Sequence, residues 1–427
     1  MSSLQSLCSA LGKNAECLVE ELESSGYENY TFENENAPLD LSRLSPRGSI
    51  ARFEVIRAAE KILRLAKGPT ECLLGFGDLF FENGTIKALI DLRVPYMIPL
   101  GSSVSYDELA EKTSVSKDLL VRLARFAIIG GFLDEDGKGA VKHNSMSAAF
   151  LRRPQAGEGA KWAFNVELAA SIPFSESLKL DPYGKQCDTA PLSIAHGNGS
   201  SRPTMWSLIE ENKEWNTQFH GLMTSECDMT MYSLQHIVTA FDWNLVSVVI
   251  DVGGSLGHAS LAVAGHFDHI RCIIQDTEEA IKKGLERLPV AFKDRISFAN
   301  HDFFSPQPTT ADAYFLRLIL HDWSDNDAQR ILKGLTPALR PGARLLIMDT
   351  IIPEPNTVPF YLEKRIRALD MGMYALLAGK ERSLQQFIDL VREVEPMLRF
   401  ESSTTPEGSI LSLMSWVMED ACESAEK

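Results

Sequence analysis

No stretch of this chain stays apolar for the roughly 18 consecutive residues that a membrane-crossing helix needs, so no membrane span is expected. The segment Met1 to Lys13 has neither a basic start nor a convincing apolar run, which argues against a secretory leader. Cysteine is sparse: Cys8, Cys17, Cys72, Cys187, Cys227, Cys272 and Cys422 are scattered, odd in number and without a C-x-x-C pair. Such a set offers neither a disulfide framework nor a zinc site, and fits reduced thiols in the cytoplasm. The histidines show no metal-ligand spacing, so no metal is expected. Positive charge is in deficit, 42 Lys and Arg against 58 Asp and Glu. A net charge of −16 repels nucleic acid and anionic membranes alike, so neither is expected as a partner.

What is present suits a soluble globular chain, with 44% hydrophobic and 23% charged residues. Its 427 residues suggest two or three domains. A polar helix pattern, Leu4 to Ser24, and an Asn/Glu/Pro-rich stretch make up an irregular segment over 1–47. From Gly48 to Ala66, Ile50, Phe53, Ile56, Ala59, Ile62 and Leu65 recur at helical spacing. Phe80 to Leu92 reads as a helix, as do 105–112 and 118–129, and Phe132-Leu133 with Val141-Lys142 read as a strand pair. Helix, turn, helix and wing is a winged-helix pattern within a helical domain of 48–187. One reading of such a unit is DNA binding by a regulator. The second helix holds only Lys117, Arg122 and Arg125 as cations, which favours burial of its apolar faces against a second copy. A loop over 188–204, with Gly197-Asn198-Gly199-Ser200-Ser201, reads as the linker to a domain of 205–427.

That last domain is organised around 247–276. A β-branched strand, Val248 to Ile250, breaks at Asp251 into the turn Gly253-Gly254-Ser255-Leu256-Gly257, followed by a helix and a second strand ending at Asp276. This is a nucleotide-binding βαβ unit in outline, with the acid 19 residues after Gly257 where about 20 are expected. The turn either cradles a nucleoside ligand or uses its glycines for backbone geometry alone. Strand and helix patterns then alternate, which predicts a Rossmann-like, doubly wound α/β sheet with its last strand inserted antiparallel. Strand ends would bring Asp251, Asp276, Asp302, His321 and Asp349 to one edge. Phe219 and Met223 share a helix face and are either core or the wall of a pocket for a planar substrate. Asp322 is open to a role as cap of the helix beginning at Asp325, and Arg317 to pairing with an acid inside the fold.

Five motifs resemble those of class I S-adenosylmethionine-dependent O-methyltransferases, the plant and fungal family related to caffeic acid O-methyltransferase. They are Asp251 to Gly257, with Ser255 in place of one glycine; Asp276; Asp302-Phe303-Phe304; His321-Asp322-Trp323-Ser324-Asp325; and Gly379-Lys380-Glu381-Arg382-Ser383. The resemblance covers most of the chain and implies an N-terminal dimerisation domain, a homodimer and S-adenosylmethionine as cofactor. It implies His321 as general base flanked by Asp349 and Glu381, and cofactor contacts from Asp251, Gly253, Gly254, Gly257, Asp276, Asp302, Phe303 and Arg317. It further implies an acceptor pocket with Phe219, Met223, Asp322 and Met373, while Cys227 stands where plant members often have a serine. The acceptor implied is a small aromatic or polyketide-like secondary metabolite. Some fungal relatives use the same fold and cofactor for pericyclic or dehydration steps, which is the alternative activity.

Overall fold

The computed structural model describes residues 3–28, 30–198, 202–227 and 229–420. Gly199-Ser200-Ser201 of the expected linker, and Cys422, lie outside the described residues. The chain divides into two compact units: Met1–Ala169 with Trp206–Met229 and Pro359–Leu362, and Ala170–Met205 with Thr230–Val358 and Glu363–Lys427.

In the first unit the helix Ser3–Ser24 lies against the helical run Pro46–Asp91. Ser45 caps that run by accepting from the Gly48 amide, and Pro46 occupies its first turn, where a missing N–H costs nothing. The small residues Gly48, Ala51 and Ala58 are buried in its first half and Leu89 and Ile90 near its end, while Ile50 and Leu65 stay exposed. The run continues through 67–79, left unassigned by the sequence pattern, with a kink where Gly68 takes φ +73° ahead of Pro69.

The helices Tyr106–Thr113 and Lys117–Ile129 follow, each capped by a serine, Ser105 and Ser116. Three short antiparallel strands accompany them: β1 (Ser103–Ser105), β2 (Asp134–Glu135) and β3 (Ala140–Lys142), in the order β1-β3-β2. The expected strand at Phe132-Leu133 is displaced by two residues. Both side chains are buried in the core with Leu109, Leu120 and Val141, and the ladder is made by the next two residues. Of the cations on the second helix, Lys117 pairs with Asp107 and Arg125 with Glu135.

The helix Lys213–Cys227 belongs to this first unit and not to the domain of 205–427 expected from the sequence. It packs closely on the helix Pro154–Trp162, where a Cβ on Gly221 would meet Glu158 and one on Gly159 would lie 3.3 Å from the Leu222 backbone. The expected linker also differs. Its first half folds as a short 3-10 turn, Cys187–Thr189, and a helix, Pro191–Ala195, with Ala190, Leu192 and Ser193 buried.

The second unit is built on a seven-stranded sheet. Its strands are β4 (Val248–Val252), β5 (Arg271–Asp276), β6 (Ile296–Asn300), β7 (Ala313–Arg317), β8 (Arg344–Thr350), β9 (Leu398–Thr404) and β10 (Leu411–Met418). The order is β6-β5-β4-β7-β8-β10-β9, parallel from β6 to β8, with β10 antiparallel to both its neighbours. Ile250, Tyr314, Leu316, Leu345, Ile347 and Trp416 form the core with apolar residues of the helices Asp325–Leu335 and Leu384–Val394. The strands thus open at one edge, their C-terminal one, where open α/β sheets bind ligands. Among the described residues, no helix is long and apolar enough to cross a membrane.

Candidate active site

The turn after β4 is tightly fitted. Gly253 and Gly257 adopt φ +69° and +82°, and Ser255 is left-handed at +49°, a conformation that costs a non-glycine residue roughly 1–2 kcal/mol. A Cβ on Gly253 would lie 2.6 Å from Ile319, one on Gly254 2.5 Å from the Asp251 carboxyl, and one on Gly257 would meet Ile274. The glycines are therefore required by the packing of the turn itself. Asp276, at the tip of β5, accepts from the Ser255 amide at 2.9 Å and the Thr277 amide at 2.7 Å. Asp251 is buried and accepts from the Ser260 hydroxyl at 2.6 Å. Burial raises its pKa to about 6 against the opposing Ser260 bond and Arg317 charge.

Arg317 ends β7. One of its Nη atoms donates to the Tyr232 carbonyl at 3.2 Å, and its buried Nε has no hydrogen-bond partner. Past β6, Asp302 is exposed and accepts from the Phe304 amide at 3.0 Å. Phe303 sets its ring 5.0 Å from Phe304 and 5.9 Å from Trp323, centroid to centroid.

His321 sits in a one-turn 3-10 helix, Leu320–Asp322, that follows left-handed Leu318 at φ +54°. Its Nδ1 lies 3.0 Å from Glu381 Oε1, and its Nε2 lies 3.5 Å from Asp322 Oδ1. The Glu381 side chain is 1% exposed, so the pair is held almost out of water. Asp349, on β8, is wholly buried and neither carboxyl oxygen has a hydrogen-bond partner; the Leu318 amide near it is committed to the Met348 carbonyl. Glu381 Oε2 is likewise unpartnered. Burial by itself would lower the imidazole pKa, but the carboxylates of Glu381, Asp322 and Asp349 outweigh it and raise it to about 10. Burial and mutual repulsion raise Asp322 and Asp349 to about 6, with His321 opposing.

The structure thus brings His321, Asp322, Asp349 and Glu381 into one electrostatic cluster. Asp322 faces the imidazole and does not cap the following helix; Ser324 does, accepting from the Asp327 amide. Met373, half-buried, lies on the helix Phe360–Leu377, and its carbonyl accepts from the Gly379 amide as the chain turns through left-handed Ala378 toward Glu381. Phe219 and Met223 are residues of the first unit, where Phe219 packs against Trp162 and Trp206. Sequence reasoning missed Arg382 and Asp325 as parts of this assembly. The only signal for them was their place inside the two intact motifs around His321 and Glu381.

The side chains at this edge fit a cationic nucleoside. Asp276, half-buried at the strand tip, accepts one amide on each carboxyl oxygen and keeps its remaining lone pairs for a sugar. Unpartnered carboxyl oxygens of Asp349 and Glu381 mark a site short of positive charge. Among the described residues, no group of three or more His, Cys, Asp or Glu side chains is arranged to hold a metal ion.

Comparison with known proteins agrees with this geometry. A family model described as an O-methyltransferase domain matches residues 183–394. The O-methyltransferase FrzF of Cladobotryum sp is 45% identical over 98% of this chain and 99% of its own. The 6-hydroxytryprostatin B O-methyltransferase of Neosartorya fischeri is 41% identical over 98% of this chain and 100% of its own. The solved structure of OxaC, 19% identical, shares the fold with a TM-score of 0.74 over 97% of this chain and 100% of that one.

Proposed function

The chain belongs to the O-methyltransferase family, and from that premise we propose that this S-adenosylmethionine-dependent enzyme methylates a hydroxyl of a small planar, aromatic or polyketide-like metabolite with His321 as general base. The observation that carries this reading is the buried Glu381 held 3.0 Å from His321 Nδ1 at the open edge of the sheet. In its neutral form His321 donates Nδ1–H to Glu381 and takes the hydroxyl proton on Nε2, and Glu381 stabilises the imidazolium that results. With the His321 pKa raised to about 10 the neutral form grows as pH rises, so turnover should increase with pH toward that value. Asp322, 3.5 Å from Nε2, places a second negative charge beside the imidazolium that forms. Asp349, buried and without a hydrogen bond of its own, adds negative charge to the same cluster.

In this reading Asp276 holds the ribose hydroxyls of the cofactor, Asp302 and Phe303 the adenine, and the turn from Asp251 to Gly257, with Arg317, the methionine end. S-adenosylmethionine supplies a methyl group made electrophilic by its sulfonium. The protein's task is to align the acceptor oxygen with it and to remove the hydroxyl proton. The test is product analysis with 6-hydroxytryprostatin B, the acceptor in the name of one relative, and a panel of aromatic phenols. One S-adenosylhomocysteine is expected per product molecule. Product formed without it would overturn methyl transfer in favour of the pericyclic or dehydration alternative, the less supported reading beside relatives named as O-methyltransferases.

We further propose that the enzyme is a homodimer through its first unit. Between Leu73 and Phe81, Leu73, Leu74, Phe76, Leu79, Phe80 and Phe81 are 53–74% exposed. At 100° per residue they span more than half the helix circumference, too wide for one apolar stripe, and such a helix is normally enclosed. Lys61, Arg64 and Lys67 precede the segment, while Glu71, Asp78 and Glu82 lie along it. Two copies crossing antiparallel on a two-fold axis would set these charges opposite one another. Sedimentation should give twice the mass of one chain. The double substitution Leu74→Glu, Phe81→Glu should halve it, and an unchanged mass would remove this segment from the interface.

A further inference from the structure

We propose that Arg382 is a positioning residue that holds the His321 turn in register with Glu381. The inference rests on the reading of His321 as base and goes beyond it to the part that fixes its geometry. Arg382 is wholly buried, and its guanidinium is spent on the protein itself. Instead Nη1 donates to the Leu320 carbonyl at 2.7 Å, Nη2 to the Trp323 carbonyl at 2.9 Å, and Nε to Asp325 Oδ1 at 3.0 Å. These acceptors bracket the turn that carries His321 on both sides.

The rest of the same motif completes the clamp. The Lys380 amide donates to the His321 carbonyl at 2.9 Å, and Lys380 Nζ pairs with Asp325 Oδ2 at 2.7 Å. Gly379 passes so near the His321 carbonyl that a Cβ there would collide with it. The Arg382 backbone is anchored in turn, since its carbonyl accepts from the Ile352 amide at 2.9 Å beyond β8 and the residue bridges to Ile351. Arg382 is thus a strut from the end of β8 to the turn after β7.

The turn needs such a strut. A three-residue 3-10 turn has few hydrogen bonds of its own, and it enters from a left-handed leucine. Leu320 is fully buried, so its carbonyl would have no water to replace the guanidinium. A planar fork with five N–H donors serves two carbonyls and a carboxylate at once, which the single ammonium of lysine cannot do. Because Glu381 precedes Arg382 directly, the bonds that brace the base also deliver its partner.

Arg382→Lys keeps the charge and removes the fork, and so tests geometry separately from electrostatics. In full-length protein labelled at histidine, with the His321→Ala protein used to assign its ring signal, His321 should titrate far above 6.5 in the parent and fall toward 6.5 in Arg382→Lys. Turnover of the best acceptor from the phenol panel should fall about 10²-fold, as expected for a displacement of roughly 1 Å, while affinity for S-adenosylhomocysteine by calorimetry stays within about threefold. Asp325→Ala, at a residue whose side chain is 44% exposed, removes one partner of the strut and should move the titration the same way by less. It carries the test if Arg382→Lys does not fold. A His321 titration unmoved in the variants, or equal losses in turnover and cofactor affinity, would overturn the proposal. A double-mutant cycle keeps it distinct from the reading beneath it: activity retained in His321→Ala would sink the base, whereas additive losses from His321→Ala and Arg382→Lys would sink the strut.

Discussion

His321→Ala protein should bind S-adenosylhomocysteine nearly as tightly as the parent and transfer methyl groups about 10²- to 10⁴-fold more slowly, the range that a positioned proton acceptor supplies. The imidazole lies at the base position and makes none of the cofactor contacts assigned to Asp276, Asp302 or Phe303. Its loss has a second effect. Glu381, Asp322 and Asp349 share one buried environment with His321 as their nearest cation, and Asp322 and Asp349 already have pKa values raised to about 6. A carboxyl whose folded pKa exceeds its unfolded one favours the folded state at low pH, and that contribution is lost as pH rises past the folded value. Removing the imidazolium raises these values further, so the variant should lose more melting temperature at pH 8 than at pH 5. Single-turnover assays and melting curves at the two pH values read both effects. Unchanged turnover would remove His321 from the role of base.

The largest effect on affinity is expected at Asp276. A carboxylate holding ribose hydroxyls contributes about 1.5–3 kcal/mol per charge-assisted hydrogen bond, and each 1.4 kcal/mol is tenfold in Kd, so Asp276→Ala should weaken cofactor binding by at least about tenfold. The same carboxylate accepts from the Ser255 amide, so the alanine variant also frees the glycine turn. Asp276→Asn separates the two roles, since an amide oxygen can still accept from Ser255 but lacks the charge. Calorimetry with S-adenosylhomocysteine should rank the parent tightest, Asn next and Ala weakest. Equal affinity for parent and alanine variant would show that the acid serves the turn alone.

The parts of this protein legible from sequence are those whose signal is local. β4 announces itself by Val248-Val249-Ile250, the turn by its glycines, and the strand ends by single acids after apolar runs. The helix over 118–129 was likewise within reach of a short window. The pairing of His321 with Glu381, 60 residues apart, is not local, and only the resemblance between motifs pointed to it. Arg382 was invisible for a further reason: its partners are main-chain carbonyls and Asp325, and a carbonyl has no letter in a sequence. The strand after Phe132 slipped by two residues because burial and hydrogen bonding fall on different residues there. The helix containing Phe219 falls in the first unit through close contacts at Gly159 and Gly221, and packing between residues about 60 positions apart leaves no mark in a short window.

The insertion of β10 has a consequence for how this enzyme comes to exist at all. β8 follows β7 in parallel order, and its apolar residues Leu345 to Met348 are all buried. Until Leu411–Met418 arrives, some 60 residues later in the chain, the other side of β8 is an open row of amides and carbonyls. An apolar, unpaired strand of this kind is a template for pairing with another molecule. The strand that carries Asp349 to the active site thus presents an open pairing edge in the half-made protein until β10 covers it.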